Sequence, residues 1–401
     1  MNPAYIIKYI YLMNIGTYVF FILDYLLFIL FTLVILYLFA FALLSKKKRA
    51  NHYRKADKQH RFAVLFPAYK EDRVILHSVE SFLQQNYPRY LYDVIVISDH
   101  MQMETNASLE EISAKVLEVK FEKSSKAKAL NFAIDSLDAS SYDIVVIFDA
   151  DNIVDTNFLE KINDVYSSGR KAIQAHRTAK NTDTDIALLD AISEEINNSI
   201  FRKGQVNAGF SAALSGSGMA FDYTWFAKNI KEVSSSGEDK EIEALLLKQK
   251  IFIEYLDQVT VLDEKVQNSD TFYNQRQRWI AAQYAILAKA LKDLPKALSE
   301  RNFDYYNKII QWIIPPRILL LGSIGMLAVI TTVVSFSVSL KWWGLWFLLL
   351  LTFFVAIPDH LISKRLCKAI VRLPWLFTLM VLNLFRLKGA NKNFNRTEHT
   401  H

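Results

Sequence analysis

Ile144-Val-Val-Ile-Phe-Asp149-Ala-Asp151-Asn152 runs from a block of apolar residues straight into two carboxylates. An uninterrupted Val/Ile run of this length suits a strand covered on both faces, the kind found where helices flank a mostly parallel sheet. Ligands of such sheets gather at the carboxyl ends of the strands. Two Asp side chains at that place offer hard oxygens, which Mg²⁺ or Mn²⁺ accept together with the oxygens of a bound diphosphate. A metal on Asp149 and Asp151 would neutralise charge developing on a departing nucleoside diphosphate. The plainer alternative is a solvated turn with an Asp capping the next helix.

The surrounding chain repeats the pattern. From Arg61 to about Leu294 short β-rich runs alternate with helical periodicity. The runs predict strands over Phe62–Phe66, Asp93–Ser98, Lys115–Val119, Asp143–Phe148 and Lys171–Ala175, with helices over Asp72–Gln85 and Lys126–Leu137 between them. The expected class is α/β, a mostly parallel sheet with flanking helices. The first strand ends in Pro67-Ala-Tyr69-Lys-Glu71 and the second in Ser98-Asp99, which puts polar groups on one rim. Tyr69 there suits a base ring, and Asp99 suits uracil or ribose; a surface loop accounts for either alone. Lys126-Ala-Lys128-Ala-Leu-Asn131 opens a helix, where basic groups meet phosphates, or where an amphipathic helix simply solvates its lysines. Gly237-Glu238-Asp239 opens another, over Lys240–Lys250. Acids in a first turn favour the helix dipole, and Asp239 is equally a candidate general base. Gln275-Arg-Gln-Arg278-Trp279 starts a long helical stretch, offering a guanidinium for a pyrophosphate and an indole face for a sugar. A basic, aromatic helix lying in a membrane interface has the same composition.

Apolar residues make up 52% of the 401 and aromatics 13%, which directs attention to membrane spans. Tyr18–Leu44 is long enough to cross a bilayer and is interrupted only by Asp24. The Lys46–Arg49 cluster that follows it places Ala50 onward in the cytoplasm. Asn2–Met13 has an interfacial composition. Tyr305–Ile314 reads as an interfacial helix stopped by Pro315 and Pro316. Arg317–Leu340 and Trp342–Ile362 are two further spans, with Lys341, Trp342 and Trp343 at the turn between them. Leu373–Leu387 is short and flanked by basic residues, so it reads as interfacial or re-entrant, with a fourth span as the alternative. The single cysteine, Cys367, excludes an internal disulfide and suits a reducing compartment.

Taken in order, these motifs resemble those of the membrane-bound family 2 glycosyltransferases, the group of the cellulose, hyaluronan, chitin and poly-N-acetylglucosamine synthases. The resemblance covers about Phe62 to Tyr284, and Gln275-Arg-Gln-Arg278-Trp279 fits the family's Q(Q/R)xRW signature in full. It implies a GT-A fold and a single inverting displacement from a nucleotide sugar, with a UDP-sugar favoured. Nucleotide-sugar contacts would then fall to Pro67, Tyr69, Glu71, Asp99, Lys126, Lys128, Asp149, Gln275 and Arg278, and the metal to Asp149 and Asp151. Asp239 would be the base with Glu238 beside it, while Trp279, Gly218 and Met219, the latter two in a Gly216–Phe221 loop, would border the acceptor. The C-terminal Arg396–His401 is similar to a Thr/His element that approaches the active site in some relatives. Two departures stand out: Ser98-Asp99-His100 in place of two acids and a Gly, and Gly237 in place of Thr.

The expected layout is an N-terminal interfacial segment and span over 1–50, a cytoplasmic catalytic domain over 51–300, membrane-associated helices over 301–390 and a cytoplasmic tail over 391–401. The implied acceptor is a growing polysaccharide, or alternatively a polyprenyl-linked or other lipid acceptor receiving one sugar. The bilayer is the expected partner, specifically the bacterial inner membrane, with a homo-oligomer or export partner open and no nucleic acid. A transporter would line its spans with ionisable groups, and here they hold little beyond Asp24 and Asp359. A catalytically silent assembly partner would have no use for Asp149, Asp151 and Asp239.

Overall fold

The computed structural model describes residues 3–48 and 53–385. Among them eight strands form one mixed, mostly parallel sheet: β1 (Phe62–Tyr69), β2 (Tyr92–Asp99), β3 (Lys115–Val119), β4 (Ile144–Ile147), β5 (Ile153–Val154), β6 (Ala172–Ala179), β7 (Met219–Asp222) and β8 (Ile253–Asp263). Their spatial order is β3-β2-β1-β4-β7-β6-β8-β5. Strand β1 pairs in parallel with β2 and β4, and β6 with β8; β7 runs antiparallel between β4 and β6. Because β7 is reversed, its start lies on the rim where β1, β2, β4, β6 and β8 end.

Side-chain alternation explains the continuous apolar runs. Val64, Phe66, Val96, Val146 and Phe148 face one core, with Phe82 of α2 (Ile75–Phe82) and Phe158 of α5 (Phe158–Ser167). Ala63, Leu65, Ile97, Val145 and Ile147 face the other, with Leu130 of α4 (Lys126–Ser136). Helix α3 (Met103–Glu111) links β2 to β3. Each fully buried Phe contributes about 1.5–3 kcal/mol of hydrophobic stabilisation.

A second layer is helical. After β6 come α6 (Asp185–Asn197), a π-turn over Asn198–Lys203 and α7 (Gly204–Asn207); α8 (Tyr223–Asn229) and α9 (Glu238–Lys248) precede β8. Beyond the sheet lie α10 (Ser269–Ser299), α11 (Phe303–Ile313), α12 (Arg317–Val334), α13 (Phe336–Ala356), α14 (Lys364–Ile370) and α15 (Leu373–Phe385), while α1 (Pro3–Ser45) precedes it. Three stretches are long and apolar enough to cross a membrane: Tyr18–Ser45, Arg317–Val334 and Phe336–Ala356. Helix α6 joins the layers, since Leu188, Ile192 and Ile196 pack with Ile35 and Leu38 of α1 and Ile324 and Leu349 of α12 and α13.

The structure corrects several expectations. The turn between α12 and α13 is at Ser335 (φ −160°, ψ 114°), and Lys341, Trp342 and Trp343 lie inside α13. They sit there because Asp24 of α1 pairs with Lys341 and accepts from Trp342 Nε1 at 2.7 Å, so the charge does not need the turn's solvent. Asp359 lies beyond the helix, in a 3₁₀ turn over Asp359–Leu361. Helix α2 is shorter than Asp72–Gln85, and α9 starts two residues before Lys240. Strands β5, β7 and β8 add to the five expected. Of the expected Gly216–Phe221 loop, Met219 to Phe221 are strand. Leu373–Leu387 is helical as far as Phe385, and Arg396–His401 lies outside the described residues.

Candidate active site

Parallel strands end together, so the rim collects their terminal side chains. Pro67 and Tyr69 at the end of β1, Glu71 just beyond it, Asp99 at the end of β2, and Asp149 and Asp151 after β4 all line one cavity of about 960 Å³. Lys126 in the first turn of α4, Glu238 and Asp239 of α9, and Gln275, Arg278 and Trp279 of α10 line it too. Three expected residues do not. Lys128 is exposed and donates to Lys123 O at 2.7 Å, because residues two apart on a helix face different ways. Met219 is fully buried in β7 and Gly218 stands at its entry, both turned into the sheet. Gly218 has φ +62°, and a Cβ there would stand 2.7 Å from Val261 Cγ2, so glycine serves the strand entry.

Asp149 stands at the centre of the charge arrangement. Lys126 Nζ bonds Asp149 Oδ1, donates to Gly216 O at 2.7 Å and lies 3.9 Å from Glu238 Oε1. Burial would push this ammonium down, but Asp149 and Glu238 outweigh it and hold it above its usual value. Arg177, near the end of β6, lies 3.8 Å from Asp149 Oδ2, 3.7 Å from Asp263 Oδ1 and 3.2 Å from Glu194 Oε2. Asp151 accepts from Glu264 N at 2.7 Å and from Asn152 Nδ2 at 3.2 Å, which fixes its carboxylate under the rim. Burial pushes the Glu238 carboxyl up to about 7 against the pull of Lys126. Burial also pulls the Arg278 guanidinium below its ordinary value, with Glu238, Asp149 and Asp239 opposing it.

Gly237 lets the acidic pair approach α10: a Cβ there would stand 2.7 Å from Ala282 Cβ. Glycine in place of the family's Thr therefore has a packing reason in this chain. His100 (φ 56°) has its own consequence, since its Nδ1 lies 2.6 Å from Asp99 Oδ1. The ring of Trp279 carries the Arg276 guanidinium 4.5 Å from its centroid, and Arg276 bonds Asp190 of α6.

Residues 60–282, more than half of the chain, match the family model described as glycosyltransferase like family 2. The chain belongs to that family. No curated protein matches it in sequence. Among solved structures, this glycosyltransferase is similar to the mannosyltransferase PcManGT from Pyrobaculum calidifontis, solved with GDP-Man and Mn²⁺, at TM-score 0.54 and 16% identity over 81% of this chain and 96% of that one. TarS 1–349 of S. aureus, in complex with UDP-GlcNAc, gives TM-score 0.43 and 14% identity over 82% and 90%. Glucosyl-3-phosphoglycerate synthase from Mycobacterium tuberculosis, with Mn²⁺, UDP and glucosyl-3-phosphoglycerate, gives TM-score 0.39 and 15% identity over 57% and 84%. The first likeness identifies the fold as GT-A.

The donor set fits a divalent cation. Among the described residues no group of three His, Cys, Asp or Glu side chains is arranged to hold a metal alone. Asp149 and Asp151 instead present two carboxylates to the cavity, and Mg²⁺-type sites complete such a pair with phosphate oxygens and water. Gln275 Oε1, buried without a partner, marks an amide whose rotation would offer N–H groups to a phosphate.

Arg177, Glu194, Asp263 and Lys265 also line the cavity, and sequence reading passed over them. Asp263 carried a usable signal, because it ends the β-rich Ile253–Asp263 run as Asp149 follows its own. Arg177 carried none, since an Arg late in a strand is ordinarily solvated.

Proposed function

We propose that this glycosyltransferase is membrane-embedded and transfers a sugar, with inversion, from a nucleotide sugar to a growing polysaccharide on the cytoplasmic face of a bacterial inner membrane. The observation that carries the reading is the convergence of Asp149 and Asp151, Glu238 and Asp239, and Gln275, Arg278 and Trp279 on one cavity. Pro67, Tyr69, Glu71 and Asp99 form its nucleotide end, with a UDP-sugar favoured. An ion on Asp149 and Asp151, Mg²⁺ or Mn²⁺, would supply Lewis-acid stabilisation of the diphosphate; PcManGT, of the same fold, was solved with Mn²⁺ and GDP-Man. Lys126, Arg278 and Gln275 face the same charge. The acceptor oxygen forms its bond to the anomeric carbon as the bond from that carbon to the diphosphate oxygen breaks. The nucleoside diphosphate leaves with the electron pair, and the hydroxyl proton passes to Asp239.

Three long apolar helices, with exposed Lys46–Lys48 after the first, support the membrane placement. A second reading, one addition to a lipid-linked acceptor, is favoured by the apolar walls that the cavity acquires beside α12 and α13.

The test incubates the protein in nanodiscs with Mn²⁺ and a panel of UDP- and GDP-sugars. Nucleoside diphosphate release with one donor and a ladder of products is expected; one lipid-soluble addition selects the second reading. EDTA should stop turnover and Mn²⁺ or Mg²⁺ restore it. Unchanged turnover in EDTA would remove the metal from the scheme, and absence of both release and donor binding would remove the function.

A further inference from the structure

The cavity has a second half that the transfer chemistry leaves unused. Beyond Arg317 in the chain, every residue on its wall is apolar, among them Leu321 of α12, Phe347, Leu351 and Phe354 of α13, and Leu376 and Met380 of α15. None of these side chains donates or accepts a conventional hydrogen bond. A glycan lying there would bury hydroxyls without partners, whereas hydrocarbon would lose nothing. Phe347, Leu351 and Phe354 are also 60%, 48% and 62% exposed, so this wall is open sideways, toward the surface that a bilayer would cover.

Arg317 stands where the polar half meets the apolar half. Its guanidinium donates to Asn197 Oδ1 at 2.9 Å, Ser193 O at 2.7 Å and Ser193 Oγ at 2.7 Å. All three acceptors are neutral, and no carboxylate among the described residues forms an ion pair with it. Its neighbours differ: Arg177 and Arg202 pair with Glu194, and Arg276 with Asp190. Three bonds use three of the five N–H groups a guanidinium carries, which leaves two for a ligand, and Arg317 itself lines the cavity. A fixed Arg held by neutral acceptors above a hydrocarbon-lined slot is complementary to an anion attached to an apolar chain.

We infer that this half of the cavity holds the lipid anchor of the acceptor, a phosphate-bearing lipid. Its phosphate sits on Arg317, and its hydrocarbon lies along α12, α13 and α15 and leaves sideways into the bilayer. The inference rests on the membrane-embedded reading above and names the acceptor's chemistry within it. The lipid enters from the membrane while the nucleotide sugar enters from water, and the two meet at Asp239.

The full chain is tested in phosphatidylcholine nanodiscs doped separately with an isoprenyl monophosphate, phosphatidic acid or the uncharged isoprenol, without donor. Native mass spectrometry reads lipid retention, and calorimetry reads UDP binding in the same samples. Retention of either phosphate lipid but not isoprenol is expected, and which one is retained identifies the source of the phosphate. Arg317→Gln should weaken retention by roughly tenfold or more, Arg317→Lys by less, with UDP binding unchanged in both. Leu351→Trp, at an exposed position that leaves folding undisturbed, should reduce retention by narrowing the slot. Equal retention of isoprenol, retention of neither phosphate lipid, or insensitivity to both Arg317→Gln and Leu351→Trp overturns the inference. Protection of the slot by a soluble glycan does so too. Loss of UDP binding in the unaltered chain would instead strike the glycosyltransferase reading, so the two failures are distinguishable.

Discussion

Asp149 shares its oxygens with Lys126 and Arg177, so the rim is charged on both signs before any substrate arrives. Lys126 also reaches toward Glu238, whose carboxyl burial pushes up to about 7. The residue that follows, Asp239, accepts from Lys240 N at 2.8 Å and lines the cavity. Asp239→Asn keeps this size and hydrogen bond while removing the basic oxygen. Turnover should fall by about 10²–10⁴-fold, with UDP affinity unchanged in calorimetry. An equal loss of UDP binding would reassign Asp239 to the donor.

At the scale of elements, the site depends on buried contacts between helices and strands distant in sequence. Lys308 of α11 lies 2.6 Å from Glu243 of α9, with side-chain exposures of 1% and 2%. An ion pair that enclosed punishes loss of one partner more than loss of both. Lys308→Met should cost about 3–5 kcal/mol in thermal unfolding, and Lys308→Met with Glu243→Leu should recover most of it. His176 of β6 ties α6 and β8 together, with Nε2 3.0 Å from Glu195 Oε1 and Nδ1 3.1 Å from Asp257 O. Burial works against its charge, but Asp257 and Glu195 raise its pKa from 6.5 to about 9. A folded pKa above the unfolded one stabilises fully below the unfolded value and fades as pH rises through the folded one. The melting temperature of the wild type should therefore exceed that of His176→Gln most below about pH 6.5, and the gap should close by about pH 9. A gap constant over that range would mean His176 acts through packing alone.

At the scale of the molecule, a sheet that ends in charge is set beside three long apolar helical stretches. Between two of them Asp24 pairs with Lys341 and accepts from Trp342, which fastens α1 to α13. Asp24→Leu strands the Lys341 ammonium in apolar surroundings and should sharply lower the yield of folded protein in detergent. Adding Lys341→Met should restore it, since replacing both partners leaves no uncompensated charge. No recovery in the double variant would mean that Asp24 serves more than this contact.

The sequence by itself determined the parallel core, because a strand covered on both faces must be apolar at every position, and Phe62–Phe66, Asp93–Ser98 and Asp143–Phe148 are nearly so. It determined the apolar helices by their length. It also singled out Asp149 and Asp151 after a strand, Glu238 and Asp239 in a first helical turn, and Gln275, Arg278 and Trp279 early in a long helix, all of which line the one cavity. Only the tertiary structure decided the remainder. Lys128 faces outward while Lys126 faces in, a matter of helical phase against the sheet. Met219 is buried because β7 inserts antiparallel between β4 and β6, and no local pattern specifies a strand's neighbours. Asp24 read as a lone charge in an apolar run and Lys341 as part of a turn until the packing of α1 on α13 joins them. Arg317 read as the start of a span, and its neutral acceptors, with no ion pair to it among the described residues, are a property of what surrounds it in space, which spacing along the chain does not encode.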